Sequence, residues 1–152
     1  MSWLPARFAH PTSVDVCPGY HLRPIRADDT PIDYPAVMGS RESLWARYGA
    51  TWGWPPATMT EEEDRADLAR HEREIAAHES FNYALLNDDE TALFGCVYID
   101  PSDQDGTDAE IFWWVVDELT GGPVQQALDE LVPAWIASAW PFDAPLIHQG
   151  AA

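Results

Sequence analysis

Lysine is absent from this chain of 152 residues, so all 8 basic residues are arginines, set against 26 acidic residues. The formal net charge is −18 and the calculated pI is about 4.2. Nucleic-acid backbones and anionic membrane surfaces both bind cationic protein faces. The composition therefore argues against nucleic-acid binding and against binding to a membrane surface.

Cysteine is also scarce, with only Cys17 and Cys96, too few for a disulfide framework. Cys96 lies in an apolar run, and we interpret it as a buried thiol rather than a nucleophile. No stretch approaches the ~20 apolar residues that span a bilayer. The N-terminus lacks the apolar run of a signal peptide, so we expect a cytoplasmic protein.

The length predicts one domain with its own core. We interpret residues 1–19 as an N-terminal arm, because they contain three prolines and no hydrophobic period, and residues 20–152 as a single domain. The arm would be packed by aromatic and aliphatic side chains, namely Trp3, Leu4 and Phe8.

Short aromatic and β-branched runs predict strands at residues 20–25, 81–86, 93–99 and 109–116. A helix, or two short ones, should cover residues 32–48, and a main amphipathic helix should cover 125–140. Pro133 should kink that helix or split it after Leu131. Residues 146–148 are predicted to form at most a short fifth strand.

A capping box marks the start of another helix, because Thr60 is followed three residues later by Glu63. The charged helix that follows is predicted to lie on the surface and to end near Ser80. Within it, His71 lacks the second histidine four residues on that a zincin site needs, because Ile75 stands there. The sequence therefore predicts no metal site.

The order of these elements resembles the GNAT superfamily of acyl-CoA-dependent N-acyltransferases. Residues 93–97, which read LFGCV, are similar to the family's third strand, and residues 109–115, which read AEIFWWV, to its fourth. Residues 21–29, which read HLRPIRADD, are similar to its first strand and the exit from it. The resemblance covers roughly residues 20–148 and implies an α+β fold of three layers, with a mixed, mostly antiparallel central sheet flanked by helices.

The resemblance implies that acetyl-CoA binds at the start of the helix after the fourth strand, where free amides and the helix dipole hold its pyrophosphate. Two departures weaken this site: Glu118 stands where the family has Gln or Arg, and Pro123, which has no N–H, stands where it has a second glycine. The implied cofactor-binding residues are Val116, Gly121, Gly122, Val124, Gln125 and Gln126.

Glu110 matches the fourth-strand glutamate that the family uses as a base. The alternative interpretation is an exposed or hydrogen-bonded strand residue, and the sequence does not decide between the two. The family's usual general acid, a later tyrosine, has no counterpart after Tyr98. The family's last strands and their helix also have no counterpart after Trp140.

Residues 49–56 are predicted to be a loop, because Gly53, Pro55 and Pro56 interrupt a helix. Its Trp52 and Trp54 either form an aromatic wall for an amine-bearing acceptor or fill the core. Because Trp113 and Trp114 are neighbours on a strand, one is expected in the core and the other near the cleft or an interface. The predicted substrate-binding residues are Trp52, Trp54, Tyr83, Tyr98 and Trp113.

Two functions from different classes are therefore expected. The first is transfer of an acetyl group from acetyl-CoA to the primary amine of a small acceptor. The second is a catalytically degenerate GNAT-like module that binds a ligand or forms a homodimer through an open sheet edge. A metal-dependent hydrolase is a third and weaker idea, because the ligand set is missing.

Overall fold

The computed structural model of the protein describes residues 3–148. Residues 1–2 of the predicted arm and residues 149–152 of the predicted domain lie outside this range. The strands within it are β1 Val14–Cys17, β2 Tyr20–Pro24, β3 Phe81–Asn87, β4 Leu93–Pro101, β5 Ala109–Val115 and β6 Pro145–Ile147. The α-helices are α1 Thr30–Gly39, α2 Arg41–Trp52, α3 Glu61–Ala76 and α4 Pro123–Ala139.

The strands form one sheet in the order β1-β2-β3-β4-β5-β6. All neighbours are antiparallel except β5 and β6, which are parallel. This confirms the predicted α+β class and the mixed, mostly antiparallel sheet. In this part of the chain, no helix is both long and apolar enough to cross a bilayer.

The helices cover both faces of the sheet. Trp113 of β5 donates its indole N–H to Asp129 of α4 at 2.7 Å, so odd-numbered β5 side chains face α4. Its neighbour Trp114 points the other way and lies against Trp54, with ring centroids 6.3 Å apart. Both tryptophans are buried, one in each of the two layers between helices and sheet. We refer to the side that carries α1 and α3 as the site face.

Three local predictions need correction. Residues 49–52 belong to α2 and not to a loop, because the helix continues until Gly53, whose φ of +62° ends it. The predicted split at Pro133 is absent, since α4 runs unbroken from Pro123 to Ala139. Its apolar stripe, which includes the buried Leu128 and Val132, packs on the sheet and offsets the lost hydrogen bond.

The third correction concerns residues 14–17, which form an edge strand inside the segment interpreted as an irregular arm. Val14 pairs with Leu22, and a bulge lies between Asp15 and Cys17. A strand of four residues without full burial carries little hydrophobic pattern, so the sequence does not reveal it. The packing of Trp3, Leu4 and Phe8 against the core agrees with the sequence analysis. The division into an arm and a domain remains a prediction.

Candidate functional site

An acidic cavity of about 660 Å³ lies on the site face, between the sheet and helices α1 and α3. Six of the residues that line it are acidic, namely Asp33, Glu63, Asp64, Asp67, Glu74 and Asp100. Arg70 also lines it, but this guanidinium lies 3.4 Å from Glu74 and 3.7 Å from Asp67. The cavity is therefore a negatively charged site that favours cations.

Asp33 and Asp64 form a hydrogen-bonded carboxyl pair in the wall of this cavity. Burial, more than any other cause, raises the pKa of both groups, and for Asp33 the hydrogen bond to Asp64 raises the pKa further. Asp33 therefore keeps its proton and donates it to Asp64. Oδ2 of Asp64 is buried, and it receives no hydrogen bond from an N–H or hydroxyl group within residues 3–148.

Two further polar residues, His71 and Asn82, line the cavity. Burial lowers the pKa of His71 to about 4, helped by the charge of Arg70, so its imidazole is neutral at physiological pH. The side-chain oxygen of Asn82, Oδ1, is buried and has no hydrogen-bond partner in the described chain. Neither residue reduces the negative charge of the cavity.

Aromatic rings complete the cavity wall. Trp52, at the end of α2, stacks on Tyr48 at 4.5 Å with an interplanar angle of 5° and meets Tyr98 edge-on at 5.5 Å. Its side chain is 40% exposed, whereas Trp54 is half-buried against the core. Trp52, Trp54 and Tyr98 all line the cavity. Ring faces attract cations, so these walls have the same preference as the carboxylates.

Glu110 lies in an adjoining groove of about 530 Å³, which His148, Phe112 and Asp100 also line. Its Oε1 is 3.3 Å from Nε2 of His148 and accepts a hydrogen bond from the Gln104 amide at 3.2 Å. The His148 ring stacks on Phe112 at 4.4 Å. The imidazole is thus held beside the carboxylate of Glu110.

Asp100 stands directly opposite Glu110 in the pairing of β4 with β5. It accepts a hydrogen bond from the hydroxyl of Ser80, and burial raises its pKa although that hydrogen bond lowers it. Asp100, Trp52 and Pro101 line both the cavity and the groove. The two spaces therefore form one cleft, with paired carboxyl groups where they meet.

The structure brings together four of the residues predicted from the sequence, namely Glu110, Trp52, Trp54 and Tyr98. It places Tyr83 and Trp113 on the other face of the sheet, where the Tyr83 hydroxyl donates to the carbonyl of Pro11 and its ring packs on Trp135. These two rings therefore lie outside the cleft. Sequence reasoning missed Asp33, Asp64 and Asp100, for which no motif exists. Asp64 in particular is buried although the sequence predicts a charged surface helix there.

Five of the six predicted cofactor residues lie at the start of α4. The amide of Gly121 donates to Oε1 of Gln125, and the amide of Gly122 donates to the Leu119 carbonyl. Pro123 has no N–H, and Gln126 donates to the Gly122 carbonyl. The amides of Val124 and Gln125 have no acceptor within residues 3–148, so two donors remain for an anion.

Val116 lies apart from these amides, because it is buried and donates its N–H to Phe94 of β4. It lines a small groove of about 290 Å³ together with Glu118. Glu118, the acidic residue that stands where the family has Gln or Arg, therefore lies beside this groove.

The edge of β5 that faces β6 is only partly paired. β6 covers Ala109–Ile111, and the amide of His148 donates to the Ile111 carbonyl at 2.9 Å. Two residues further on, the Trp113 carbonyl accepts a hydrogen bond from Nη2 of Arg47 at 3.1 Å. Arg47 reaches it from α2, so a side chain and not a strand holds this part of the edge.

Cys96 is fully buried on β4, and burial raises its pKa well above the ordinary value, which confirms a buried thiol. Within the described residues, no three His, Cys, Asp or Glu side chains are arranged to hold a metal ion.

This mixed sheet, with a partly paired β5 edge and a helix start beside it, defines an acyltransferase-type fold. The family model described as an acetyltransferase (GNAT) domain matches residues 20–144. The chain therefore belongs to the GNAT acetyltransferase family.

Solved structures agree with this assignment of the fold. The ribosomal-protein-S5-alanine acetyltransferase of Vibrio fischeri has a TM-score of 0.61 at 16% identity, over 84% of this chain and 69% of its own. The acetyltransferase of Salmonella typhimurium that modifies the N-terminal serine of ribosomal protein L7/L12 has a TM-score of 0.64 at 13% identity, over 82% and 67%.

The microcin C7 self-immunity acetyltransferase MccE, solved with acetyl-CoA and AMP, has a TM-score of 0.61 at 14% identity, over 85% and 69%. At these identities the comparisons show the fold alone. A comparison with curated proteins finds no match.

Proposed function

We propose that this protein transfers an acetyl group from acetyl-CoA to the primary amine of a small cationic acceptor. The observation that carries the proposal is the meeting of Glu110 and Asp100 at the junction of the groove and the acidic aromatic cavity. A cationic amine is attracted to this junction by charge and by the ring of Trp52. The same junction supplies a carboxylate that can take a proton from the amine.

The residues at the start of α4 fit the pyrophosphate of acetyl-CoA at two points, the free amides of Val124 and Gln125. Gly121 and Gly122 contribute the turn, with φ of +77° at Gly121. Acetyl-CoA, when bound, supplies an activated thioester carbonyl. The acceptor approaches along the β5 edge from the cleft.

Glu110 acts on the acceptor. Its carboxylate removes a proton from the bound ammonium, and His148, in contact with the same oxygen, orients it. The amine nitrogen then forms the C–N bond of the amide as the C–S bond of the thioester breaks. The second proton of the nitrogen leaves with the CoA thiolate, which becomes the thiol, so the reaction needs no further reactant.

The Glu110→Gln variant tests this role. It keeps the side-chain volume and the contact with Gln104 but removes the base, so turnover should fall by about a hundredfold or more. Calorimetry should show acetyl-CoA affinity nearly unchanged, because Glu110 lies away from the start of α4. Glu62→Gln, a charge-matched control that removes an exposed carboxylate outside the cleft, should leave turnover nearly unchanged. Full turnover in Glu110→Gln would remove this residue from the mechanism.

A second candidate function is ligand binding without transfer, which two contacts favour. The Gln125 side chain occupies the Gly121 amide, and Arg47 occupies the Trp113 carbonyl, so two polar groups on the proposed cofactor path are already paired within the chain. Isothermal titration with acetyl-CoA separates the two functions. Micromolar binding supports transfer, whereas no heat and no thermal shift at millimolar acetyl-CoA would leave only the binding module.

We also propose that the protein is cytoplasmic and that its sheet edge pairs with a second copy. The support for a dimer is that β6, the last strand of the sheet, pairs with β5 on one side and with no strand on its outer side in the described chain. Sedimentation at micromolar protein, with and without acetyl-CoA, tests the dimer.

A further inference from the structure

His148 is held against Glu110 by three contacts, all of them with β5. Its amide donates to the Ile111 carbonyl at 2.9 Å, and its ring stacks on Phe112 at 4.4 Å with an interplanar angle of 3°. Nε2 of the ring lies 3.3 Å from Oε1 of Glu110. The backbone contact and the ring contact therefore fix the imidazole with one nitrogen beside the carboxyl group.

The imidazole is the more exposed member of this pair. The side chain of His148 is 41% exposed, whereas that of Glu110 is 19% exposed. In the described chain, Nδ1 of His148 has no hydrogen-bond partner. Oε2 of Glu110 likewise receives no hydrogen bond within residues 3–148, since Gln104 and His148 both contact Oε1. One carboxyl oxygen thus remains for an acceptor amine, and one ring nitrogen remains for solvent.

The groove around the imidazole contains no arginine among the residues described. The other titratable residues that line it are Asp100, Asp103 and Glu110, and the residues that α2 contributes are uncharged. A proton on the ring of His148 therefore meets no electrostatic repulsion from the groove.

Acetyl transfer to an ammonium group releases one proton in each turnover, and the choice of proton acceptor affects the rate. Ordinary pKa values are about 10 for an aliphatic ammonium, about 6.5 for an imidazole and about 4 for a carboxyl group, so a carboxylate alone is a poor acceptor. An imidazole that receives the proton from the carboxyl group improves the equilibrium by about two pKa units, or roughly a hundredfold. A histidine in contact with the base can therefore do more than orient it.

We propose that His148 is the proton-accepting partner of Glu110, through which the proton of the acceptor ammonium leaves the cleft. The ammonium proton passes to the Glu110 carboxylate as a carboxyl proton passes to Nε2 of His148. The imidazolium then releases a proton to water, which restores the neutral ring and the carboxylate. His148 acts through Glu110 and does not touch the acceptor, so it is a positioning residue that also holds the proton. This inference rests on the proposed acetyl transfer.

The His148→Gln variant separates proton acceptance from orientation. Its amide N–H can replace the Nε2 contact with Glu110, but an amide does not take up a proton. With octylamine as the acceptor, kcat should fall by about a hundredfold. The KM for octylamine and the affinity for acetyl-CoA should change little, because neither the cavity nor the start of α4 is altered.

The His148→Ala variant adds a readout that a purely structural role would not change. It leaves space beside Glu110 for a free imidazole, so imidazole added to the assay should raise its kcat several-fold towards that of the unmodified chain. His10→Gln, which removes a histidine outside the cleft, is the control. This control should keep full turnover and should not respond to imidazole.

Turnover of His148→Gln close to that of the unmodified chain would overturn the inference, because contact with Glu110 would then be sufficient. A large loss in His148→Ala that imidazole does not restore would also overturn it, since His148 would then act by orientation alone. Either result, together with an inactive Glu110→Gln, would leave the acyl-transfer proposal in place. An unmodified chain that acetylates neither octylamine nor benzylamine would end the proposed function and this inference together.

Discussion

The Asp33–Asp64 pair is the residue-scale feature that sets the character of the cavity. Two carboxyl groups in contact in a buried wall cannot both ionise without strong repulsion, so one keeps its proton. A core built for stability alone would place apolar side chains there. The pair is therefore a structural cost, and we relate it to ligand recognition.

That cost predicts a dependence of stability on pH. The pKa of Asp33 in the folded chain lies above its ordinary value of 3.8, mainly through burial, so the folded state binds more protons between the unfolded and folded pKa values. The stability contribution of Asp33 is therefore largest at low pH and decreases as pH rises through this window. Asp33→Asn should raise the urea midpoint near neutral pH, and its advantage should shrink towards about pH 4.

The control for this prediction is Asp28→Asn, which removes an exposed carboxylate that does not line the cavity. Its effect on the midpoint should be small across the same range. A constant difference between Asp33→Asn and the unmodified chain at every pH would show that burial of Asp33 has no linkage to folding.

At this scale the sequence predicts the residues that a family motif or an unusual local composition marks. Glu110 was predicted because it stands in an AEI pattern, and Trp52 because it lies among glycine and prolines. Trp113 was assigned to the substrate because a strand pattern does not say which face meets which helix. Asp33 and Asp64 are 31 positions apart by number, and only the packing of α1 on α3 brings them into contact.

At the scale of elements, α2 and β5 determine access to the proposed cofactor path. The Arg47 side chain joins them through the Trp113 carbonyl, on the edge where β6 no longer pairs. This contact gives the Trp113 carbonyl a hydrogen-bond donor although no strand pairs with it there. A ligand amide that pairs with the same carbonyl must displace Arg47.

The Arg47→Ala variant should therefore bind pantetheine about fivefold more tightly, since the competing hydrogen bond contributes on the order of 1 kcal/mol. Pantetheine is the appropriate probe because it lacks phosphates and so does not respond to the loss of a positive charge. Arg73→Ala, which removes an exposed arginine on α3, should leave its affinity unchanged. Weaker binding to Arg47→Ala, measured by calorimetry, would show that Arg47 holds the ligand instead.

Elements with strong local signals agreed with the sequence predictions, and those shaped by long-range packing did not. In the capping box, the Glu63 N–H donates to the Thr60 hydroxyl at 3.1 Å, and the Thr60 N–H donates to the Glu63 carboxylate at 2.8 Å. By contrast, α2 continues to Trp52 because that ring stacks on Tyr48 and meets the sheet, which no local pattern reveals. Strand β1 forms because β2 offers an edge, and its own four residues carry no comparable signal.

At the scale of the whole molecule, the net charge of −18 repels the polyanionic part of acetyl-CoA and attracts a cationic acceptor. No arginine follows Arg73, so the sequence that forms the start of α4 contributes no cation of its own. The charge of the protein should therefore repel acetyl-CoA and attract the cationic acceptor.

Salt titration provides the corresponding prediction. Between about 0.01 and 0.1 M salt the screening length falls from ~30 to ~10 Å, which weakens both repulsion and attraction between exposed charges. The affinity for acetyl-CoA should rise over this range, whereas that for a cationic amine such as octylamine should fall, and that for uncharged pantetheine should change little. Calorimetry at the two salt concentrations gives all three values. A fall in acetyl-CoA affinity with salt would mean that local cations such as Arg47 outweigh the charge of the whole chain.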